Sequence, residues 1–254
     1  MADYLRLRQI CLVAPDLAPA VRCFEQVLGL VVCYRDPNVA AYGLENAVFP
    51  LGASFLEVVA PTRPDTAAGR FLARSGGRGA YMVIFDCSDP ERRAGHVRSL
   101  GVRVVSTHNH EGFRGVQLHP KDCRAAMLEL DCTDGGEDPM AAYGPAGGTG
   151  WTHAIRTHTT RRLARIRVES PWPEQLASHW SRILEAPAAG RCIATQPTDI
   201  EVTEAPPGGR EAVTGIVLDV VDPDAVRAAA RDHGQPFEGD MPMVCGVSVD
   251  LRAG

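Results

Sequence analysis

A unit of strand, turn and amphipathic helix occurs four times along the chain, and this repetition constrains the fold more than any other feature. The first copy, LRLRQICLVAPDLAPAVRCFEQVLGL (5–30), has a turn at Pro15-Asp16 and a helix over Ala18–Leu28 with apolar residues at i, i+3, i+4 and i+7. Similar turns occur at Asp89-Pro90 and Asp222-Pro223. Four such units predict a fold assembled from duplicated modules.

Three strands are predicted after the helix in each of the first two units. The first unit has strands Leu7–Val13, Leu30–Tyr34, Ala47–Pro50 and Ser54–Val59, closed by a loop over Ala60–Gly79. The second has strand Ala80–Cys87, helix Glu91–Leu100, strands Val102–Ser106, Gly115–His119 and Ala125–Asp131, and a polar loop over Thr107–Arg114. The order is therefore βαβββ in both.

The last two units are shorter, so we expect one trailing strand of each to be brief or absent. The third has strand Leu163–Val168, helix Glu174–Leu184 and strands Arg191–Thr195 and Asp199–Thr203; the fourth has strand Thr214–Val220, helix Asp224–His233 and strand Gly246–Arg252. A stretch rich in Gly, Pro, Asp and Thr separates the two pairs of units. We predict domains at 1–145 and 163–254, joined by a linker at 146–162.

Composition excludes several classes of protein. A net charge of −5 over 254 residues argues against nucleic acid as a partner, because phosphate binding requires clustered Lys and Arg. No apolar run approaches the length of a membrane span, and no signal-peptide pattern opens the chain, so we expect a cytoplasmic protein without a membrane partner. The eight scattered cysteines then predict reduced, mostly buried thiols.

Four segments carry a family resemblance: QICLVAPDLAPAVRCFEQVLGL, FLEVVAP, VIFDCSDPERRAGHVRSLGV and GVQLHPKDCRAAMLELD. With the four βαβββ units, they resemble the vicinal oxygen chelate superfamily, which includes glyoxalases, bleomycin-resistance proteins and extradiol dioxygenases. The last segment is similar to the end of methylmalonyl-CoA epimerases. The resemblance implies an α+β fold in which four modules form two glyoxalase-like domains with cup-shaped mixed sheets.

The resemblance also implies a metal site, because the first and last strands of both modules in this family direct one ligand each at a divalent ion. These positions fall on Gln9 and Glu57 in the first module and on Met82 and Glu129 in the second. The pairs are 48 and 47 residues apart, as a duplicated module requires. Gln, Glu, His and Glu are the ligands of one group of glyoxalase I enzymes.

Met82 departs from this pattern, since a neutral thioether is a weak ligand for the ions of this family. Gln9, Glu57 and Glu129 still offer three oxygen ligands for Mn, Co, Fe, Mg or Zn, with water completing the shell. A methionine at such a position is more often a core residue than a ligand. Its neighbour Tyr81 is expected on the other face of the strand, unless a bulge re-aims it.

In the second domain, the corresponding positions fall near Arg165, Glu201, Gly215 and Asp250. Arg and Gly do not bind metal, so we predict that this half lacks a metal. An extradiol dioxygenase is disfavoured for the same reason, since its second half requires two His and a Glu.

Three histidines are candidate pocket residues. His119 is a candidate ligand or general base because its pKa lies near neutrality, although a structural role at the end of a strand is the alternative. His108 and His110 belong to the predicted loop, from which they either reach the cavity or remain solvated. Trp151 is expected to pack at the domain junction.

Two functions remain open. In the first, a metal enzyme of isomerase, epimerase or lyase type acts on a small carbonyl or vicinal-oxygen substrate through an enediolate-like intermediate, with Glu129, and with it Glu57, as catalytic residues. In the second, the cup sequesters a small molecule without a metal, as in bleomycin-resistance proteins. Both make a small molecule the partner, and both allow a monomer or a homodimer.

Overall fold

The computed structural model describes residues 3–144 and 147–254, and its first half is a seven-stranded mixed sheet. Its strands are β1 (Leu5–Val13), β2 (Leu44–Leu51), β3 (Ser54–Pro61), β4 (Met82–Cys87), β5 (Val104–His110), β6 (Phe113–Leu118) and β7 (Met127–Thr133). They lie in the order β2-β3-β1-β4-β7-β6-β5. The helices are α1 (Leu17–Gln26), α2 (Ala67–Ser75), α3 (Pro90–Ser99) and the short α4 (Pro120–Cys123), and a 3₁₀ turn covers Pro37–Tyr42.

The second half repeats this arrangement with an eight-stranded sheet. Its strands are β8 (Thr160–Ser170), β9 (Ala188–Ala189), β10 (Cys192–Ile193), β11 (Asp199–Glu204), β12 (Ala212–Val220), β13 (Phe237–Glu238), β14 (Met241–Val244) and β15 (Val247–Ala253), and its helices are α5 (Pro173–Leu184) and α6 (Pro223–Asp232). The order is β13-β14-β15-β12-β8-β11-β10-β9. The two-residue strands β9 and β13 agree with the expectation of brief trailing strands, whereas β10 is shorter than predicted and β14 has no counterpart among the predicted strands.

Pairing within each sheet follows the modular duplication. In the first sheet, β1 and β4 open the two modules and pair antiparallel, while each pairs in parallel with the last strand of its own module, β3 or β7. In the second sheet, β8 and β12 pair in the same antiparallel way and take β11 and β15 as parallel partners. The structure is thus an α+β fold of four βαβββ modules in two sheets, as predicted.

Helices α1, α3 and α6 each begin directly after the aspartate of a repeated turn. The side chains of Asp16, Asp89 and Asp222 accept hydrogen bonds from the first backbone amides of α1, α3 and α6. Such N-cap carboxylates satisfy amides that have no partner inside the helix. Pro90 and Pro223 then occupy the first helical turn, where a missing N–H costs nothing.

A continuous hydrophobic core joins the two halves. Side chains from both sheets and from α1, α3, α5 and α6 belong to one buried cluster, with Phe24 and Trp180 among its largest members. The indole of Trp180 on α5 donates to the carbonyl of Cys123 at 2.7 Å. Five of the eight cysteines are buried.

Three local predictions are wrong. The predicted loop 60–79 contains α2, whose N-cap Thr66 accepts from the amide of Gly69. The predicted loop 107–114 is instead a β5–β6 hairpin, so His108 and His110 lie in a strand. Leu30–Tyr34 is not a strand; only Tyr34 forms an isolated bridge, with Val48.

Residues 134–159, the connecting segment, run from β7 to β8 and contain a 3₁₀ turn at Trp151–Ala154. The boundary predicted between 145 and 146 lies outside the described residues, and the domain limits stay a prediction. Tyr143 and Trp151 of this segment are buried against Val48 and Phe55 of the first sheet, so part of it belongs to that sheet's packing. In the described ranges, no helix combines the length and apolar character needed to cross a membrane.

Candidate functional site

The four positions expected to surround a metal lie on four neighbouring strands, β3-β1-β4-β7. On each strand, alternate residues such as Leu56, Ile10, Val83 and Leu128 enter the main core. Gln9, Glu57, Met82 and Glu129 alternate with them and lie on the opposite face, which we call the site face. The structure therefore brings all four onto one surface.

Glu57 is held by two amides. Its Oε1 accepts from Asn46 Nδ2 at 2.6 Å, and its Oε2 accepts from Gln9 Nε2 at 2.8 Å. The side chain is buried, and burial raises its pKa, while the hydrogen bonds from Asn46, Cys11 and Gln9 oppose this shift. Burial and the nearby Glu57 likewise raise the pKa of the Cys11 thiol.

Glu129 occupies the equivalent place on β7. Gln117 Nε2 on β6 donates to its Oε2 at 3.1 Å. Burial raises the pKa of Glu129 to about 7, against the lowering effect of its hydrogen bonds with Gln117 and Asp131, and the charge of Glu57 acts in the same direction as burial. In the described residues, no ion pair involves either carboxylate.

Asp131 lies next to Glu129 on the same face, two residues along β7. Burial raises its pKa well above the ordinary value, and the charge of Glu129 adds to this. Tyr143 donates to its Oδ2 at 3.4 Å, while its Oδ1 has no partner. Gly115 on β6 provides the space for both acids, because a Cβ there would lie 2.7 Å from Asp131 Oδ1 and 3.4 Å from Glu129 Oε1.

Met82 packs in an apolar cluster of the site face, which we call the thioether cluster. Its buried members are Cys11, Val13, Val59, Ala68, Met82 and Ile84, and Leu44, Phe71, Leu72, Tyr81 and Met127 pack against them. The prediction that Tyr81 lies on the other face is wrong, because Tyr81 precedes β4 and the alternation of the strand does not apply to it.

The residues on the site face fit a divalent cation through oxygen atoms. Gln9 Oε1 is buried without a hydrogen-bond partner, Glu57 contacts the same amide group, and Glu129 is buried on the same face. A hard divalent ion would satisfy all three, with water completing its shell. Within residues 3–144 and 147–254, no three His, Cys, Asp or Glu side chains form a metal-binding group, so the protein oxygens available to an ion on this face are those of Gln9, Glu57 and Glu129.

The candidate histidines occupy different places. His108 lies across Gly115 from Asp131 in the strand register, half-buried on the site face, with its Nε2 3.4 Å from Ser106 Oγ. His110 is exposed near the hairpin turn. His119 is the N-cap of α4, where its Nδ1 accepts from the amide of Lys121 at 3.2 Å.

A buried arginine closes one end of the site face. The guanidinium of Arg8 stacks on the rings of Phe55, Tyr143 and Trp151, with its Cζ 5.0, 4.6 and 5.4 Å from their centroids. It donates to the carbonyls of Ala53 and Pro139. A bulge in β1 between Leu7 and Gln9 places Arg8 beside Gln9 on this face.

The second sheet has charged pairs at the corresponding positions. Arg165 pairs with Glu201 at 3.3 Å, and Arg167 pairs with Asp250 at 3.2 Å across Gly215. A guanidinium beside each acid satisfies its charge without a metal. A cavity of about 280 Å³ also lies away from the carboxylates, between α1 and the β14–β15 turn, where Cys23, Gln235 and Cys245 line it.

The sequence interpretation missed Asn46, Gln117, Asp131, Gly115 and Arg8. Two of these have a signal in the sequence: Asn46 and Gln117 are polar residues within otherwise apolar strands, at positions that face the carboxylates. The glycine and the arginine have none, because their roles depend on a cross-strand contact and on a β-bulge.

Comparison with known proteins agrees with the fold. A family model described as a glyoxalase-like domain matches residues 10–184. The chain therefore belongs to the glyoxalase-like family, within the vicinal oxygen chelate superfamily.

Particular relatives cover different parts of the chain. Human mitochondrial methylmalonyl-CoA epimerase is 24% identical over 129 residues, which are 50% of this chain and 73% of the epimerase. A methylmalonyl-CoA epimerase solved with methylmalonyl-CoA is 29% identical, with a TM-score of 0.46 over 51% of this chain and 95% of its own. A mutant 4-hydroxymandelate synthase from Streptomyces coelicolor matches 93% of this chain and 77% of its own, with a TM-score of 0.67 and 14% identity. That likeness confirms the predicted two-domain fold.

Proposed function

We propose that the protein is an enzyme of isomerase, epimerase or lyase type that moves a proton at the carbon next to a carbonyl of a small substrate. The observation that carries the proposal is the pair formed by Glu57 and Glu129. Both are buried on one face, on strands from different modules, and neither has a cationic partner among the described residues. Burying two such acids is costly, so a structural role alone accounts poorly for them.

Glu129 is the proposed base. Its pKa of about 7 suits a group that must both take and return a proton near neutral pH. Gln117 donates to Oε2 of Glu129, and Asp131 is a second hydrogen-bond partner of the same carboxyl group. Glu57, held by Asn46 and Gln9, lies on the other module, and we propose that it delivers or receives the proton on the opposite side of the substrate.

Gln9, Glu57 and Glu129 are the residues that would hold a divalent cation. When bound there, Mn, Co, Fe, Mg or Zn would supply a Lewis acid that polarises the substrate carbonyl. Rotation of the Gln9 amide exchanges Oε1 and Nε2, so the same side chain can offer an oxygen to an ion or an N–H to Glu57.

The substrate to test first comes from the relatives. The human protein is a methylmalonyl-CoA epimerase, and a similar solved structure contains methylmalonyl-CoA. That molecule has an acidic C–H next to a thioester carbonyl, which is the chemistry that a buried glutamate base can perform.

The test is exchange of this proton for deuterium, followed by NMR on methylmalonyl-CoA in D₂O. We expect Glu129→Gln to slow the exchange by at least about 100-fold, the typical contribution of a general base. Glu25→Gln, on the exposed side of α1, is the matched control and should exchange normally. An unchanged rate in a folded Glu129→Gln protein would remove the role given to Glu129.

Metal-independent binding of a small molecule is the second candidate, and Met82 favours it. A methionine in the thioether cluster, at the place of the fourth ligand, suits an apolar binding surface. Metal analysis of protein purified without chelator, beside a Glu57→Ala/Glu129→Ala variant, separates the two. Stoichiometric metal in the parent alone supports the enzyme, whereas a ligand-induced thermal shift that EDTA leaves unchanged supports binding.

A further inference from the structure

Three sulfur-containing side chains lie next to one another across the site face. Cys11 on β1 is the register partner of Met82 on β4, and Met82 is the register partner of Met127 on β7. Directly opposed residues project to the same face, and neighbouring strands are about 4.7–4.9 Å apart. Cys11 and Met82 are buried members of the thioether cluster, and Met127 packs against it. One thiol and two thioethers therefore form a continuous row, which we call the sulfur row.

Neither the composition nor the fold accounts for the sulfur row. The chain has eight cysteines and six methionines among 254 residues, so three of them side by side on adjacent strands are not expected from composition alone. The second sheet has the same strand arrangement, and there the equivalent row consists of Arg167, Gly215 and Ser248, again as direct register partners. The fold thus tolerates other residue types at these positions, and sulfur is particular to the first half.

The surroundings of the sulfur row are mainly apolar, and one end of the row reaches solvent. Cys11 is 1% exposed and Met82 is 9% exposed, whereas Met127 is half-buried. The Cys11 Sγ lies 3.8 Å from the carbonyl oxygen of Leu12, which is a long and weak contact for a thiol. A small ion can therefore approach from the side of Met127, and the thiol loses little when it exchanges its hydrogen-bond acceptor for a metal.

We propose that the sulfur row binds a soft monovalent metal ion, Cu(I). Thiolate and thioether ligands select Cu(I), in contrast to the oxygen ligands that Gln9, Glu57 and Glu129 offer to harder ions. The unbranched methionine side chains have three rotatable bonds, so both thioethers can turn toward an ion held by Cys11.

The charge of the ion also fits these surroundings. As the S–Cu bond forms, the Cys11 thiol gives up its proton to water, so one negative charge on sulfur meets one positive charge on the ion. Binding therefore adds no net charge to an apolar cluster. A divalent ion on the same three sulfurs would leave one positive charge buried without compensation, which is costly.

Competition with the coloured Cu(I) chelator bicinchoninate, without oxygen and with ascorbate present, measures this binding on the full chain. We expect the protein to withdraw one equivalent of Cu(I), and Cys11→Ser to abolish that withdrawal. Met82→Leu/Met127→Leu keeps apolar side chains of similar volume and should raise the Kd at least about tenfold. Met140→Leu, at an exposed methionine, and Cys33→Ser, at a half-buried cysteine outside the thioether cluster, are the matched controls and should leave the Kd within about twofold.

X-ray absorption at the copper edge identifies the atoms around the bound ion, and we expect three sulfur neighbours in the parent. Four results would overturn the inference: no Cu(I) withdrawn by the parent, the same withdrawal by Cys11→Ser, an unchanged Kd in the double methionine variant, or an ion surrounded mainly by nitrogen and oxygen. Circular dichroism checks that each variant is folded. If Cys11→Ser does not fold, the methionine variant, in which every buried side chain stays apolar, decides the question. These measurements do not depend on turnover, so their outcome is separate from the test of Glu129.

Discussion

Gly115 provides a direct test of how the two acids of β7 are packed. An alanine Cβ at this position would lie 2.7 Å from Asp131 Oδ1, 3.3 Å from Phe113 Cε1 and 3.4 Å from Glu129 Oε1. The first distance is too short for any real contact, and Asp131 is buried and accepts from Tyr143, so it has little freedom to move. We expect Gly115→Ala to destabilise the protein by about 1–3 kcal/mol, the usual cost of overpacking.

Thermal unfolding measures this cost, and a loss of about 2 kcal/mol corresponds to a fall in Tm of roughly 4–8 °C for a chain of this size. Gly95→Ala is the control, because Gly95 lies in α3 and a Cβ at that position would have no other atom within 4 Å. There alanine should stabilise the helix by about 0.5–1 kcal/mol. Gly115→Ala should also slow proton exchange, since displacing Asp131 disturbs Glu129.

A double-mutant cycle decides whether the clash is the cause. In an Asp131→Ala background the contact at 2.7 Å is absent, so Gly115→Ala should then cost no more than about 0.5 kcal/mol. An equal cost in both backgrounds, or no cost in the parent, would refute the argument from steric contact.

Two further predictions concern stability. Burial outweighs the ion pair with Arg6 and raises the pKa of Asp86 from 3.8 to about 6, so the native state holds this proton more tightly than the unfolded chain does. The contribution of Asp86 to the free energy of unfolding should therefore fall by about 3 kcal/mol as the pH rises from below 4 to above 6. Urea titrations at a series of pH values measure this dependence, and Asp86→Asn should remove it. The same dependence of unfolding free energy on pH in the parent and the variant would contradict the raised pKa. Trp151→Ala should lower the free energy of unfolding by about 3–5 kcal/mol, because it removes a buried ring that packs on Arg8 and Phe55. Trp172→Ala, which removes an exposed ring, is the control and should change it by less than about 0.5 kcal/mol. Equal effects of the two substitutions would contradict the packing described for Trp151.

The modular fold was predictable because it depends on local signals. The Asp/Pro turns give helix starts, and the strand alternation gives the face on which Glu57 and Glu129 lie. The family resemblance assigns Gln9, Glu57, Met82 and Glu129 to the first and last strands of the two modules, and these four strands are neighbours in the structure.

Helix α2 was missed although its ends carry ordinary signals. Thr66 is an N-cap, and Gly76 is the left-handed residue that ends the helix. The surrounding Pro, Gly and Arg residues gave the segment the composition of a loop, and α2 is stabilised mainly by packing on the thioether cluster, which no local pattern reveals.

The details of the site depend on contacts between distant residues. Asn46 and Gln117 reach the two carboxylates from other strands, and Arg8 reaches the site face only because of the bulge in β1. The polar residues of the β5–β6 hairpin hide the strand alternation and therefore predict a loop around His108. The pairing of β5 with β6 is a tertiary feature.

The packing of the connecting segment determines where the chain can be divided. A fragment ending at Thr133 contains every strand of the first sheet, yet it would expose Phe55 and the Arg8 guanidinium to water, because Tyr143 and Trp151 would be missing. A fragment of the first half that keeps the packing around Phe55 must extend at least to Ile155. Insertions, tags or circular permutations placed at the buried part of this segment should be as harmful as those placed within a strand.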